Sequence, residues 1–79
     1  MFVYIIQSKK DGSIYVGSTQ DIKERLLHHN AGYSLATKNK TPWEVLRLEE
    51  YSDTELALKR EHFLKTARGR RVVKNLCSL

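Results

Sequence analysis

Seventy-nine residues make one domain, because a chain this short buries only about 60% of its unfolded surface and cannot divide that core between two units. Fourteen Lys and Arg against nine Asp and Glu give a net charge of +5, which favours polyanionic partners. The single cysteine, Cys77, excludes an intramolecular disulfide and cannot form a zinc site alone, which suits a reducing cytosol and leaves a small terminal hydrophobe.

The opening "MFVYIIQSKK" lacks the basic start of a signal peptide, and its apolar run is too short to span a bilayer. A cytoplasmic protein with no membrane association is expected. Residues 2–7 and 13–17 read as two strands joined at Asp11-Gly12, a strong hairpin signal. A two- or four-residue loop places Tyr4 and Tyr15 on the same face of the ribbon, and with four residues they become diagonal neighbours. On the hairpin alone, two tyrosines are ordinary strand residues with buried rings and wet hydroxyls.

"STQDIKERLLHHNAG" then reads as a helix, with Ser18 or Asp21 as its cap and Gly32 as its stop. Ile22, Leu26 and His29 or Asn30 recur on its core face. Residues 31–42 form a polar loop ending at Pro42, and 43–51, "WEVLRLEEY", form a third strand. "SDTE" at 52–55 reads as a capping box with Ser52 as the cap. A helix follows, its inward stripe assigned to Leu56, Arg60, Phe63, Leu64 and Ala67. Gly69 is expected to end it before a last short helix at about 70–77. The order ββαβα plus a short C-terminal helix predicts a small α+β domain spanning 1–79, with a three-stranded, mainly antiparallel sheet flanked by helices.

Arg25 and His29 stand one turn apart beside the apolar Ile22 and Leu26, so both point toward the rest of the protein. The plain alternatives are an Asp21–Arg25 helix pair and, for His29, a cation facing the helix dipole. Glu61 borders the buried stripe of the second long helix. Its ordinary partner would be Lys65 one turn on; its functional partner would be a hard divalent ion such as Mg²⁺. Residues 59–74 hold seven of the fourteen basic residues against one acid, Glu61. A phosphate-tracking surface made by Lys65, Arg68, Arg70, Arg71 and Lys74 is preferred over a merely solvated face. Two tyrosines, an arginine, a histidine and one half-buried carboxylate on a basic domain together suggest phosphodiester hydrolysis.

The arrangement resembles the GIY-YIG nuclease superfamily over nearly the whole chain. Phe2-Val3-Tyr4 stands where the first signature tripeptide falls, and Tyr15-Val16-Gly17 matches the second. "DIKERLLHHN" is similar to the family's arginine-bearing helix and "ALKREHFLK" to its glutamate-bearing helix. With Thr37 and Pro42 in the middle loop, the pattern is most similar to small stand-alone members of the UPF0213 or YhbQ-like group. The resemblance implies a site of Tyr4, Tyr15, Arg25, His29 and Glu61. Tyr4 would act as, or relay to, the general base, Tyr15 would orient water or a phosphate oxygen, and Glu61 would hold Mg²⁺ or Mn²⁺. Phe2 departs from the family's first glycine, and the late asparagine of larger members has no secure counterpart, since Asn75 stands at a doubtful spacing. The function expected is a metal-dependent endonuclease acting on DNA. The alternatives are a nucleic-acid-binding module with little turnover, or a subunit lending this domain to a larger DNA repair or processing complex.

Overall fold

A computed structural model describes all of residues 1–79. The first strand, β1, Phe2–Ser8, runs through the centre of a three-stranded sheet, between β2, Ile14–Thr19, and β3, Trp43–Glu50. Val3 to Ile6 are all buried, as a strand covered on both faces requires. Both pairings are antiparallel. The β1–β3 register shifts between Ile5 and Ile6, leaving Leu46 as the extra residue.

The hairpin loop has four residues. Ile6 pairs with Tyr15 and Tyr4 with Gly17, and the Ser8 amide bonds the Ser13 carbonyl. The positive φ of 79° at Gly12 makes this turn possible without Cβ strain. Tyr4 and Tyr15 therefore share a face as diagonal neighbours, their rings 6.4 Å apart.

Strand alternation sorts the core into two layers. Tyr4, Ile6 and Trp43 pack under α1, Ile22–Asn30, with Ile22 and Leu26 against them. On the opposite face Val3, Ile5 and Val16 meet Ala57 and Leu64 of α2, Thr54–Leu64, and Val73 of α3, Ala67–Leu76. The α+β class and the flanking helices match expectation, and the sheet is antiparallel throughout.

Three local expectations need correction, and one choice left open is decided. Asp21 caps α1 and Asp53, not Ser52, caps α2, each accepting an amide bond three residues on. Asp53 wins because its carboxylate lies one residue nearer the free amides, so the Ser52–Glu55 box does not form. The inward face of α2 is buried Ala57 and Leu64 with part-buried Arg60 and Glu61; Leu56 and Phe63 are exposed, and Ala67 lies beyond α2, exposed at the start of α3. Small Ala57 brings the helix close to the sheet, and Arg60 enters as half of a bidentate pair with Glu49, at 2.9 and 3.1 Å. Gly69 breaks nothing. The helix turns at Lys65–Thr66, Thr66 caps α3, and Gly69 lies buried inside α3 against the end of α2. A Cβ there would stand 2.5 Å from Leu64 Cα and closer still to the Phe63 carbonyl oxygen, so glycine is required by close approach.

Candidate active site

Tyr4 reaches the site from the central strand with only 1% of its surface exposed. Its ring lies across Gly17, where an added Cβ would come within 2.6 Å of Tyr4 Cζ, so the glycine of Tyr15-Val16-Gly17 makes room for the phenol. Arg25 Nε donates to the Tyr4 hydroxyl at 3.3 Å, and the same hydroxyl lies 2.9 Å from His29 Nε2. A guanidinium has no acceptor, so the Tyr4 oxygen must receive the Arg25 proton and is free to give its own to His29. His29 Nδ1 lies 2.7 Å from Thr37 Oγ1, which accepts its proton in this arrangement. Trp43 Nε1 in turn donates to the Thr37 carbonyl at 3.0 Å and anchors the loop.

Electrostatics agrees with that proton order. Burial, reinforced by the Arg25 charge, pushes the His29 imidazole below its ordinary pKa and keeps it neutral. Burial pushes the Tyr4 phenol above its ordinary value, while the Arg25 hydrogen bond and charge pull it back. His29 is thus not an exposed cation at a helix end. Nor does Arg25 pair with Asp21: the Asp21 carboxylate caps the helix and the guanidinium turns inward to Tyr4.

Glu61 approaches from the other face of the sheet, at the free edge of β2. Ser18 Oγ donates to its Oε1 at 2.5 Å and Lys65 Nζ to its Oε2 at 2.6 Å. Burial opposes ionisation, yet these hydrogen bonds outweigh it and hold the carboxyl below the usual carboxylate range. The expected Lys65 partner is present, but Glu61 does not stay at the surface: its side chain is 13% exposed. Lys65 Nζ also sits 5.9 Å from the centre of the Tyr15 ring, which joins the carboxylate to the tyrosine cluster.

Tyr4, Tyr15, Arg25 and His29 therefore gather on the α1 side, with the Tyr15 and His29 rings 5.2 Å apart, and Glu61 meets them round the strand edge. Among the basic residues, Lys65, Arg70 and Lys74 border one groove with Tyr15, whereas the exposed Arg68 and Arg71 do not line it. Three participants were not among the site residues expected from the sequence: Thr37, Ser18 and Trp43. Ser18 lies 43 positions from Glu61, so no local spacing announces that contact.

A hard divalent ion fits this donor set only in one manner. Glu61 is anionic and half-enclosed, no three acidic, His or Cys residues cluster, and the ion would take its other ligands from water and substrate phosphate.

Comparison with known proteins decides the family. The GIY-YIG catalytic domain model matches residues 1–75. The chain belongs to the GIY-YIG family. It is 41% identical over 66 residues to a UPF0213 protein of Staphylococcus epidermidis strain RP62A, covering 82% of this chain and 79% of that one. UPF0213 proteins of Staphylococcus saprophyticus and Haloquadratum walsbyi are 38% and 36% identical over the same length, with 79% and 73% of their own chains covered. No solved structure matches. No helix is long and apolar enough to cross a membrane.

Proposed function

We propose that this GIY-YIG domain is a divalent-metal-dependent endonuclease that hydrolyses phosphodiester bonds in DNA. The observation that carries the reading is the hydrogen-bonded chain from part-exposed Arg25 through buried Tyr4 and His29 to Thr37, with a low-pKa carboxylate at the adjoining strand edge. Buried polar networks are costly where apolar packing would serve, and this one aligns a proton path that a core does not need.

In this reading Glu61 holds Mg²⁺ or Mn²⁺, which when bound neutralises phosphate charge. Tyr4 takes a proton from the attacking water as its own passes to His29 Nε2; the hydroxide forms the new P–O bond while the opposite P–O bond breaks, and the leaving oxygen keeps that bond pair and takes its proton from solvent. In this reading His29 acts through Tyr4, whose hydroxyl lies 2.9 Å from its Nε2, so that the two serve as a relayed base. Arg25, fixed through Nε, offers its remaining N–H groups to the charge growing on phosphorus. Tyr15 orients the water or a phosphate oxygen.

One observation favours the alternative, a nucleic-acid-binding module with little turnover, alone or within a larger DNA-processing complex. Both Glu61 oxygens already accept protein hydrogen bonds, from Ser18 and Lys65, so an ion would have to share the carboxylate with the Lys65 ammonium, which repels it. Incubation of the protein with plasmid, branched and single-stranded DNA, and with RNA, separates the readings. Cleavage with Mg²⁺ or Mn²⁺ that chelator abolishes supports the nuclease; binding of every substrate without cleavage by either ion supports the module.

A further inference from the structure

A groove of about 590 Å³ runs between the free edge of β2 and α3. Its rim is cationic: Lys40, Lys65, Arg70 and Lys74. Its floor is apolar, with Ile14, Val16 and Leu79, and the Tyr15 ring borders it. Lys65 is engaged by Glu61 and Lys40 by Asp11, while Arg70 and Lys74 form no ion pair. These two stand one turn apart on a single face of α3, and Arg68 and Arg71 lie off the groove.

We propose that this groove is the subsite for one unpaired strand of nucleic acid, its phosphates on the Lys65–Arg70–Lys74 rim and a base face on the apolar floor. Charge complementarity selects a polyanion, and the floor selects how the polyanion lies. A duplex presents phosphates and sugars outward and would leave the apolar floor unrewarded. A single strand presents phosphates and base faces together. Tyr15 and Lys65 belong to both the groove and the candidate active site, so a strand seated here leads directly to Tyr4 and Glu61. The inference rests on the nuclease reading only for that last step; binding is measured without metal, so a failed groove and a failed nuclease are told apart.

Two charge-matched double variants test it, R70A/K74A on the groove and R68A/R71A off it, with a labelled oligothymidylate and chelator present. All four side chains are exposed, and thermal unfolding checks that both variants fold. Loss of two single-strand phosphate contacts should lower the slope of log K against log salt by about 1.4, which is about 25-fold in affinity at ~0.1 M salt. R70A/K74A should show that loss and R68A/R71A little of it. An abasic strand with the same number of phosphates should bind the wild type at least about fivefold more weakly, the smallest effect of one stacked base. Equal losses in the two variants, or equal affinity for the abasic strand, overturns the proposal. So does an R70A/K74A variant that keeps the oligonucleotide but loses an acidic, leucine-bearing peptide, which would assign the groove to a protein segment.

Discussion

Gly69→Ala tests the packing that holds Glu61, Lys65 and the groove in relation to one another. A helix-interior glycine ordinarily weakens a helix by about 1 kcal/mol relative to alanine, so from propensity alone the change should stabilise α3. The structure predicts the opposite sign. The new Cβ would stand 2.5 Å from Leu64 Cα where ordinary contact begins at 3.4 Å, a deficit of about 0.9 Å, and it meets backbone that cannot rotate away. Overpacking of this kind costs about 1–3 kcal/mol, and a backbone obstacle belongs at the upper end. Set against the propensity gain, the net loss is about 2 kcal/mol, or a fall in Tm on the order of 10 °C for a domain of this size. Differential scanning calorimetry of the two proteins decides it. A Gly69→Ala variant that melts higher than the wild type would refute the α2–α3 contact and the correction drawn from it.

Thr37→Val keeps the shape but removes the oxygen facing His29 Nδ1, leaving a buried N–H without a partner; stability should fall by about 1–3 kcal/mol in urea titration. Nitrogen NMR of the imidazole should move from one tautomer to a mixture, which simple loss of packing would not cause. Because the folded His29 pKa is depressed, the unfolded chain binds the proton first, so stability should decline as pH falls below about 6.5, and His29→Gln should flatten that slope. Glu49, held at about 2 against burial by Arg60, Arg47 and Tyr51, contributes stability present above the ordinary carboxyl range and lost as pH falls from about 4.5 toward 2. Glu49→Gln should remove the steeper acid limb from the same pH titration of stability.

Most of the fold was legible because its signals are local. Asp11-Gly12 fixes the hairpin, loop parity puts both tyrosines on one face, and the basic segment stands out by composition. What escaped depends on contacts far apart in sequence. Ala57 rather than Leu56 faces the sheet, because docking sets the helix phase and the hydrophobic pattern of "TELALKREHFL" fits more than one. Gly69 reads as a stop until α2 folds back upon it. The site divides likewise: Arg25 and His29 were placed by their one-turn spacing, but the burial that makes His29 a neutral partner of Tyr4 needs the loop carrying Thr37 and the indole of Trp43.

The most direct measurement is single-turnover cleavage of labelled DNA by wild type and Glu61→Gln, with Mg²⁺ or Mn²⁺, beside binding of the same DNA in chelator. Removing the charge while keeping the shape should lower metal-dependent cleavage by at least ~10²-fold, about 2.7 kcal/mol of barrier. Folding should persist, and metal-free binding should hold or tighten slightly, since a negative charge near the phosphates has gone. Equal cleavage by the two proteins, or no cleavage of any substrate by the wild type while both bind DNA alike, would contradict the assignment of Glu61 and the nuclease reading built on it.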